Sequence, residues 1–321
     1  MPFAGRQALG VFAAGLIVLL AGCAPSVLMV GPTHELKLPS QAVAEASSGD
    51  TILIDPGVYR DCAVVKSSNV TIAGTGPGVV LTDRTCGGKA ILVTKGDDIT
   101  IRNLTLQHAH VPDRNGAGIR AEGYNLTVDG VRFLDNEEGI LAGHKRGSTI
   151  RVLNSDFERN GTCAGSGCAH GVYVGHIDLL DVENSRFFEQ MVGHHVKSRA
   201  LKTVIKGNTI EDGPDGTASY EIDIPNGGDA DIERNTIEKG PKAQNWSTAI
   251  AIGEERRGKQ QSGTLVIRDN KFTNNNEHET LFVRNLSDDP VQLSGNALSG
   301  KVVPLQGQGT VQQAATPTPR S

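Results

Sequence analysis

The chain has 321 residues and a formal net charge of -5 at pH 7. This balance carries no basic excess, so it argues against a nucleic-acid partner. Only 4% of the residues are aromatic, which is low for a globular core, and an aliphatic solenoid core would account for the shortage.

The N-terminus has the pattern of a bacterial export signal. Arg6 supplies a positive charge, and residues 8–22 form an apolar run that is too short to span a bilayer comfortably. The run Leu20-Ala21-Gly22-Cys23 resembles the lipobox of bacterial lipoproteins. This resemblance implies that residues 1–22 are removed as a signal peptide and that Cys23 is lipidated. A plain secretory signal and an uncleaved anchor helix are the alternatives.

Lipid on Cys23 would hold the protein at a membrane, since each buried methylene contributes about 0.8 kcal/mol. Residues 23–35 are then expected to be the lipidated cysteine and a tether. Ala24, rather than aspartate, follows the cysteine, and in Gram-negative sorting this resembles cargo sent to the outer membrane. The resemblance implies a location at the outer membrane, facing the periplasm or the cell surface.

A folded domain is predicted to open at residue 36. Residues 36–46 are expected to form a short amphipathic cap. Residues 48–59 then place one strand, Thr51 to Ile54, between a Gly-Asp turn and a Pro-Gly turn. This segment resembles the opening coil of pectate-lyase-like proteins.

A short strand recurs along the rest of the chain, with an aliphatic residue followed two or three places later by Asn or Gly. Successive copies lie between 23 residues (Val182 to Ile205) and 35 residues (Ile232 to Ile267) apart. Such spacing is typical of a solenoid, and the scattered Gly, Asn and Asp leave no helical stripe. The central aliphatics of the nine copies are Ile72, Ile101, Val128, Val152, Val182, Ile205, Ile232, Ile267 and Leu293.

Together these patterns resemble the right-handed parallel β-helix superfamily over residues 36–303. The implied fold is all-β, a solenoid of about ten coils with a short N-terminal cap. Residues 304–321 are rich in Gln, Thr, Pro and Gly and are expected to be disordered.

Two further features belong to the predicted stack. Asparagines recur three places after the central aliphatic and predict an internal hydrogen-bonded ladder; they are Asn208, Asn235, Asn270 and Asn296. Four cysteines follow Cys23, an even number in an exported chain. Cys62 and Cys86 are 24 residues apart, about one coil, and Cys163 with Cys168 would close a small loop, so two disulfides are predicted.

A second recurring strand allows the outward-facing rows to be aligned. Its middle row is predicted to run through Arg120, Leu141, Tyr173, Lys197, Asp223 and Ala251. The neighbouring rows bring His195 beside Glu221 and place Arg199 beyond Lys197. Because adjacent strands lie one spacing apart, a polar patch about 15 Å across is predicted. Its members are Tyr173, His195, Lys197, Arg199, Glu221 and Asp223.

This patch has the residue types that chemistry on acidic polysaccharides requires. A lyase or C5 epimerase must neutralise a uronate carboxylate and remove the neighbouring proton. Arg199 could neutralise the carboxylate, Lys197 or His195 could take the proton, and Tyr173 could deliver one. Glu221 and Asp223 could instead bind Ca²⁺ or act as a hydrolytic acid/base pair.

Interpretations without catalysis also stay open for residues of this region. Opposite charges on adjacent strands are ordinary cross-strand pairs. A zinc site formed by His170, His194 and His195 is a further hypothesis, against which solvated turn histidines are the simpler interpretation. The charged run from Gly253 to Gly263 predicts an exposed loop that could wall the groove.

The sequence therefore supports two functional hypotheses. The first is an envelope lipoprotein that binds, and could cleave or epimerise, an acidic polysaccharide along its β-helix. The second is a non-catalytic structural or adhesion module. The runs typical of pectate lyases, alginate epimerases and polygalacturonases are absent from the sequence, so the fold resemblance does not assign one of those activities.

Overall fold

The computed structural model describes Met1 and residues 24–165, 167–255 and 261–312. The lipobox with Cys23, and the loop residues Arg256, Arg257 and Lys259, lie outside the described residues. Among the described residues, no helix is both long enough and apolar enough to cross a membrane.

The described strands form three long parallel sheets, here named A, B and C, which the chain visits in that order once per turn. Sheet A has 12 strands. They are Val27–Val30, Thr51–Ile54, Thr71–Gly74, Ile99–Arg102, Leu126–Asp129, Thr149–Leu153, Leu179–Glu183, Lys202–Lys206, Asp229–Glu233, Leu265–Arg268, Val291–Ser294 and Gly309–Gln312.

Sheets B and C have 10 strands each. Those of sheet B are Gly57–Tyr59, Val79–Thr82, Thr105–Gln107, Arg132–Leu134, Asp156–Glu158, Arg186–Phe188, Thr209–Glu211, Thr236–Lys239, Lys271–Asn274 and Ala297–Ser299. Those of sheet C are Ala63–Val65, Ala90–Thr94, Ala117–Ala121, Glu138–Ala142, Val172–Val174, His194–Ser198, Tyr220–Ile224, Thr248–Ile252, Thr280–Asn285 and Val302–Gly307. The molecule is thus a parallel β solenoid of about eleven turns.

The predicted repeat is confirmed, because its nine central aliphatics are paired in register in sheet A. Ile72 pairs with Ile101, for example, and Ile267 with Leu293. These side chains are buried in one continuous apolar core. Two places later the backbone is left-handed, as at Asn154 (φ 48°). That conformation favours Gly and Asn, which explains the recurring residue types.

The predicted asparagine ladder is also confirmed. Asn235 Nδ2 donates to Ile205 O and to Asn270 Oδ1, both at 2.9 Å, and Asn208 N donates to Asn235 Oδ1 at 2.8 Å. Ser185 continues the ladder toward the N-terminus, since Ser155 N donates to its Oγ. Every rung therefore satisfies backbone groups at a buried turn.

Both predicted disulfides are present. Cys62 and Cys86 have Cα atoms 5.5 Å apart, and Cys163 and Cys168 have Cα atoms 4.1 Å apart. Cys163–Ala164 and Gly167–Cys168 form a small antiparallel hairpin. Cys86 lies in a reverse turn bridged to Ala90, so it meets Cys62 from a turn and not from the equivalent position of the next coil.

The boundaries differ from the sequence-based ones at both ends. Strand Val27–Val30 lies inside the segment interpreted as a tether and pairs with Thr51–Ile54. The helix Pro39–Glu45 lies within the predicted cap and buries Ala42 and Val43 against the first coils. Strands Val302–Gly307 and Gly309–Gln312 extend beyond residue 303, where a disordered tail was expected. Residues 313–321 lie outside the described residues.

Candidate functional site

The outward middle row of sheet C has the predicted register. Tyr173 pairs with Lys197, Lys197 with Asp223, and Asp223 with Ala251. Beside this row lies a groove with a pocket of about 390 Å³. Its lining is formed by Gly167, Cys168, His170, Tyr173, Gly193, His194, Lys197, Arg199, Ser219 and Gln244. The concavity expected of a binding site is therefore present beside Tyr173 and Lys197.

Arg199 and Lys197 form a cationic pair beside the groove and hold one carboxylate, that of Glu255. Arg199 Nη1 and Nη2 each lie 2.7 Å from a different oxygen of Glu255, which is the bidentate geometry of an arginine–carboxylate pair. Lys197 Nζ lies 3.4 Å from the same carboxylate. Arg199 also donates to the Tyr173 hydroxyl at 3.1 Å and to Asn226 Oδ1 at 2.7 Å.

These contacts favour the charged forms of Arg199 and Glu255. Burial opposes ionisation, but hydrogen bonds to Glu255 and Tyr173 raise the pKa of Arg199 above its usual range. The Arg199 hydrogen bond lowers the pKa of Glu255. Arg199 is only 14% exposed, whereas Glu255 is 46% exposed. The cation is thus fixed in the wall, and the anion that it holds is accessible to solvent.

Asp223 lies deeper and orients Lys197. Its Oδ2 is 2.9 Å from Lys197 Nζ and 3.4 Å from His194 Nε2. Its other oxygen is buried and has no hydrogen-bond partner among the described residues. Burial raises the pKa of this carboxyl although Lys197 opposes the shift. Asp223 therefore holds the amine toward the groove at some cost in desolvation.

A column of stacked rings forms another wall of the groove. The ring of His194 lies 4.8 Å from that of His170 and 4.9 Å from that of Tyr220. His170 Nδ1 accepts from His194 N, and His194 Nδ1 accepts from Tyr220 N. Burial lowers the pKa of His170 to about 3 and that of His194 well below its usual value. Both imidazoles are therefore neutral, with the proton on Nε2.

His195 and Glu221 were predicted to face outward, and that placement is wrong. They are 1% and 0% exposed, and they point into the solenoid. Several strands of sheet C contain two successive buried residues, as at Ala249 and Ile250 or at Phe282 and Val283. The register skips His195 with Glu221, and likewise Ala249 with Phe282, so simple alternation fails there.

Inside the solenoid these two residues join Asp212 and Lys239 in a buried quartet. His195 Nε2 lies 3.2 Å from both Asp212 Oδ1 and Glu221 Oε2, and Lys239 Nζ lies 2.5 Å from Glu221 Oε1. Burial lowers the pKa of His195, but hydrogen bonds to Asp212 and Glu221 outweigh it and raise the pKa to about 9. Two cations thus compensate two buried anions.

The structure does not bring together the residues of the zinc and calcium sites considered from the sequence. His195 is directed away from His170 and His194, so the three-histidine zinc site does not assemble. Glu221 and Asp223 contact different partners, which removes both the proposed calcium pair and the hydrolytic acid/base pair. Ligand atoms of His195, Asp212 and Glu221 do lie within 4.8 Å of one another. Lys239, however, supplies the positive charge there.

Sequence reasoning missed several contributors. Glu255 was assigned only to a charged loop, and Asn226 was given no role. No sequence pattern pointed to Asp212 and Lys239, because their role in the buried quartet depends on which face of each strand points into the solenoid. His170 and His194 were considered as metal ligands or as solvated turn histidines, whereas the structure makes them a wall of the groove.

Comparison with known proteins identifies the handedness. A family model described as a right handed beta helix region matches residues 162–310. The fold is a right-handed parallel β-helix. An alginate lyase from Paenibacillus sp. str. FPU-7 resembles this β-helix with a TM-score of 0.63 and 19% identity, covering 88% of this chain and 99% of that chain.

Two further solved structures are similar to the chain with lower TM-scores. A pectin methylesterase from Aspergillus niger has a TM-score of 0.47 and 11% identity, covering 88% of this chain and 91% of that chain. The A-module of a mannuronan C-5 epimerase from Azotobacter vinelandii has a TM-score of 0.44 and 15% identity, covering 85% and 93%. No curated protein matches the chain. At 19% identity the likeness to the Paenibacillus protein shows the fold alone.

Proposed function

We propose that the protein binds an acidic polysaccharide in the groove and cleaves it by β-elimination at a uronate residue. The observation that carries this proposal is the Arg199–Lys197 pair, which already holds a carboxylate in bidentate geometry at the groove. A uronate presents the same chemical group. In the complex it would replace Glu255, whose carboxylate is accessible and is carried by a loop.

The groove residues fit the steps of the elimination. Arg199 neutralises the substrate carboxylate, which makes the C5 proton easier to remove. Lys197, oriented by Asp223, releases its own proton to solvent and then takes the C5 proton as the general base. The C4–O bond then breaks, a C4=C5 double bond forms, and the Tyr173 hydroxyl protonates the departing oxygen. His195, the other base considered from the sequence, is enclosed in the buried quartet and has no part in this proposal.

Solved structures agree with this proposal without deciding it. The Paenibacillus protein is described as an alginate lyase, and alginate is an acidic polysaccharide of uronates. That likeness extends only to the fold, so the substrate class is inferred from the groove. Epimerisation would use the same first step and return the proton to the opposite face of the sugar.

The test is the absorbance of the unsaturated uronate produced by the purified protein. Alginate, pectate and glycosaminoglycans are supplied separately, with and without Ca²⁺. We expect a rise with one class of substrate, and a fall of about 10²-fold or more in its rate for Lys197→Ala, since a positioned base contributes about 10²–10⁴-fold. Lys271→Ala, an exposed lysine of sheet B, should leave the rate unchanged.

Two results would contradict the proposal in different ways. No rise with any substrate, while direct binding persists, would exclude the lyase and leave an epimerase or a binding module. If there is no rise in absorbance and no binding, the structural module is favoured.

We also propose that the protein is a lipoprotein of the outer membrane. The two disulfides support export, because disulfides persist in oxidising compartments.

A further inference from the structure

The chain has a single tryptophan, Trp246, and it lies on the surface. Its side chain is 43% exposed. Its ring lies 4.6 Å from that of His278, with the two planes inclined by 37°. Neither ring belongs to the apolar core, so packing of the solenoid interior does not account for their contact.

This aromatic pair lies on the same edge of sheet C as the groove. Gln244 lines the groove. Asn245 lies close enough to Tyr220, the last ring of the stacked column, to oppose the rise that burial causes in the pKa of that hydroxyl. Trp246 follows directly. It precedes strand Thr248–Ile252, which is two strands along from His194–Ser198 in the sheet order. The pair is therefore roughly 10–15 Å from Lys197 along the axis of the β-helix, two to three strand spacings.

The backbone beneath the pair is fixed before any ligand arrives. Trp246 O accepts from the buried Thr280 hydroxyl at 2.7 Å, and Ser247 O accepts from Leu281 N at 2.8 Å. His278 O accepts from Asn274 Nδ2 at 2.7 Å. These bonds tie Trp246 to the next coil and His278 to a strand of its own coil, so the platform costs little additional ordering on binding.

We propose that Trp246 and His278 form a second saccharide subsite, which holds a sugar ring of the same polymer a few residues away from the reacting uronate. The proposal rests on the function proposed above. The C–H face of a pyranose ring packs against an indole ring, and a polymer lying along the axis would pass from Lys197 over Tyr220 to Trp246. Lys301, whose Nζ donates to Glu277 O beside His278 at 2.9 Å, adds a cation at this end.

Two measurements test this subsite directly. Titration with purified oligouronates of increasing length should shift the intrinsic fluorescence of Trp246, the only indole, once the oligomer exceeds a trimer. By calorimetry, Trp246→Ala should weaken binding of a hexamer about three- to tenfold while leaving binding of a dimer unchanged, given about 0.5–1.5 kcal/mol for such ring contacts. Trp246→Phe should recover most of the affinity.

Controls separate this proposal from the proposed function. Tyr124→Ala removes an equally exposed aromatic, 40% exposed, whose ring contacts Lys145, and it should leave both oligomers unaffected. Loss for Lys197→Ala without loss for Trp246→Ala would overturn the subsite alone. Loss for Trp246→Ala without loss for Lys197→Ala would support the subsite and overturn the proposed groove. No binding of any oligouronate by the wild-type protein would overturn both.

Discussion

Glu255 occupies the position that we assign to the substrate carboxylate, so removing its charge should make the groove easier to enter. Glu255→Gln is expected to strengthen binding of short oligouronates by about two- to fivefold, because a pair with one accessible partner contributes about 0.2–1 kcal/mol. Calorimetry with a dimer measures the change. Asp288→Asn removes the same charge from another exposed position, and an equal gain there would show that only net charge matters.

The buried quartet gives the protein a pH-dependent stability at alkaline pH. The pKa of His195 is raised to about 9 in the folded protein, whereas the unfolded value is near 6.5. Its stabilisation is therefore complete below about pH 6.5 and is lost as the pH rises through about 9. The loss is on the order of 3 kcal/mol.

Urea denaturation between pH 6.5 and 9.5 measures this dependence. The unfolding free energy should fall across that window in the wild-type protein and stay flatter in His195→Gln. His110→Gln changes a 63% exposed histidine and should retain the fall. Equal slopes in all three proteins would show that His195 does not carry the effect.

Sequence reasoning succeeded for the site residues that obey strand alternation and failed for those that do not. Tyr173, Lys197 and Asp223 were aligned by period two, and the structure pairs them in that register. His195 was assigned to the wrong face, because it and the next residue, Val196, both point inward. Glu255 reaches Arg199 from 56 positions away, and a local pattern does not encode such a contact.

At the scale of elements, each asparagine of the ladder should contribute strongly to the stability of the stack, because it satisfies several buried groups at once. Asn235→Ala removes the acceptor of Asn208 N and the donor to Ile205 O, and both of these lie at buried turns. We expect a loss of about 3 kcal/mol in the free energy of unfolding, since each unsatisfied buried group costs about 1–3 kcal/mol.

Serine offers the matched comparison for this rung. Ser155 and Ser185 occupy the equivalent position in earlier coils and still accept a backbone N–H. Asn235→Ser should therefore lose less stability than Asn235→Ala in urea denaturation. Asn275→Ala, at an exposed position, should change little. Equal losses for Ala and Ser would show that the shared acceptor is unimportant.

The elements were predictable wherever the backbone imposes a residue type. A left-handed residue follows most of the repeated sheet A strands and, except at Arg234, it is Gly, Asn or Asp. These residue types made the repeat visible in the sequence. The strands Val27–Val30 and Val302–Gly307 were missed because they close the two ends of the stack, where the repeat loses its turn residues and half of its neighbours.

At the scale of the whole molecule, the lipid anchor can be tested independently of activity. Expressed in a Gram-negative host, the full chain should incorporate labelled fatty acid and sediment with the outer membrane. Cys23→Ser should abolish labelling and release the protein, because the buried methylenes that hold it are lost. Ala24→Asp should retain the label and move the protein to the inner membrane. Labelling of Cys23→Ser would contradict lipidation at this position.

The early start of the first strand determines how far the anchored molecule could stand from a membrane. Ser26 N already donates to Asp50 Oδ1 at 2.7 Å, so only Ala24 and Pro25 separate Cys23 from the folded body. A link this short spans about 10 Å at most. Lipid on Cys23 would therefore hold the first coil against the headgroups. The groove lies near the sixth strand of sheet C, so in an upright molecule it would meet polymer roughly 25–35 Å above the bilayer.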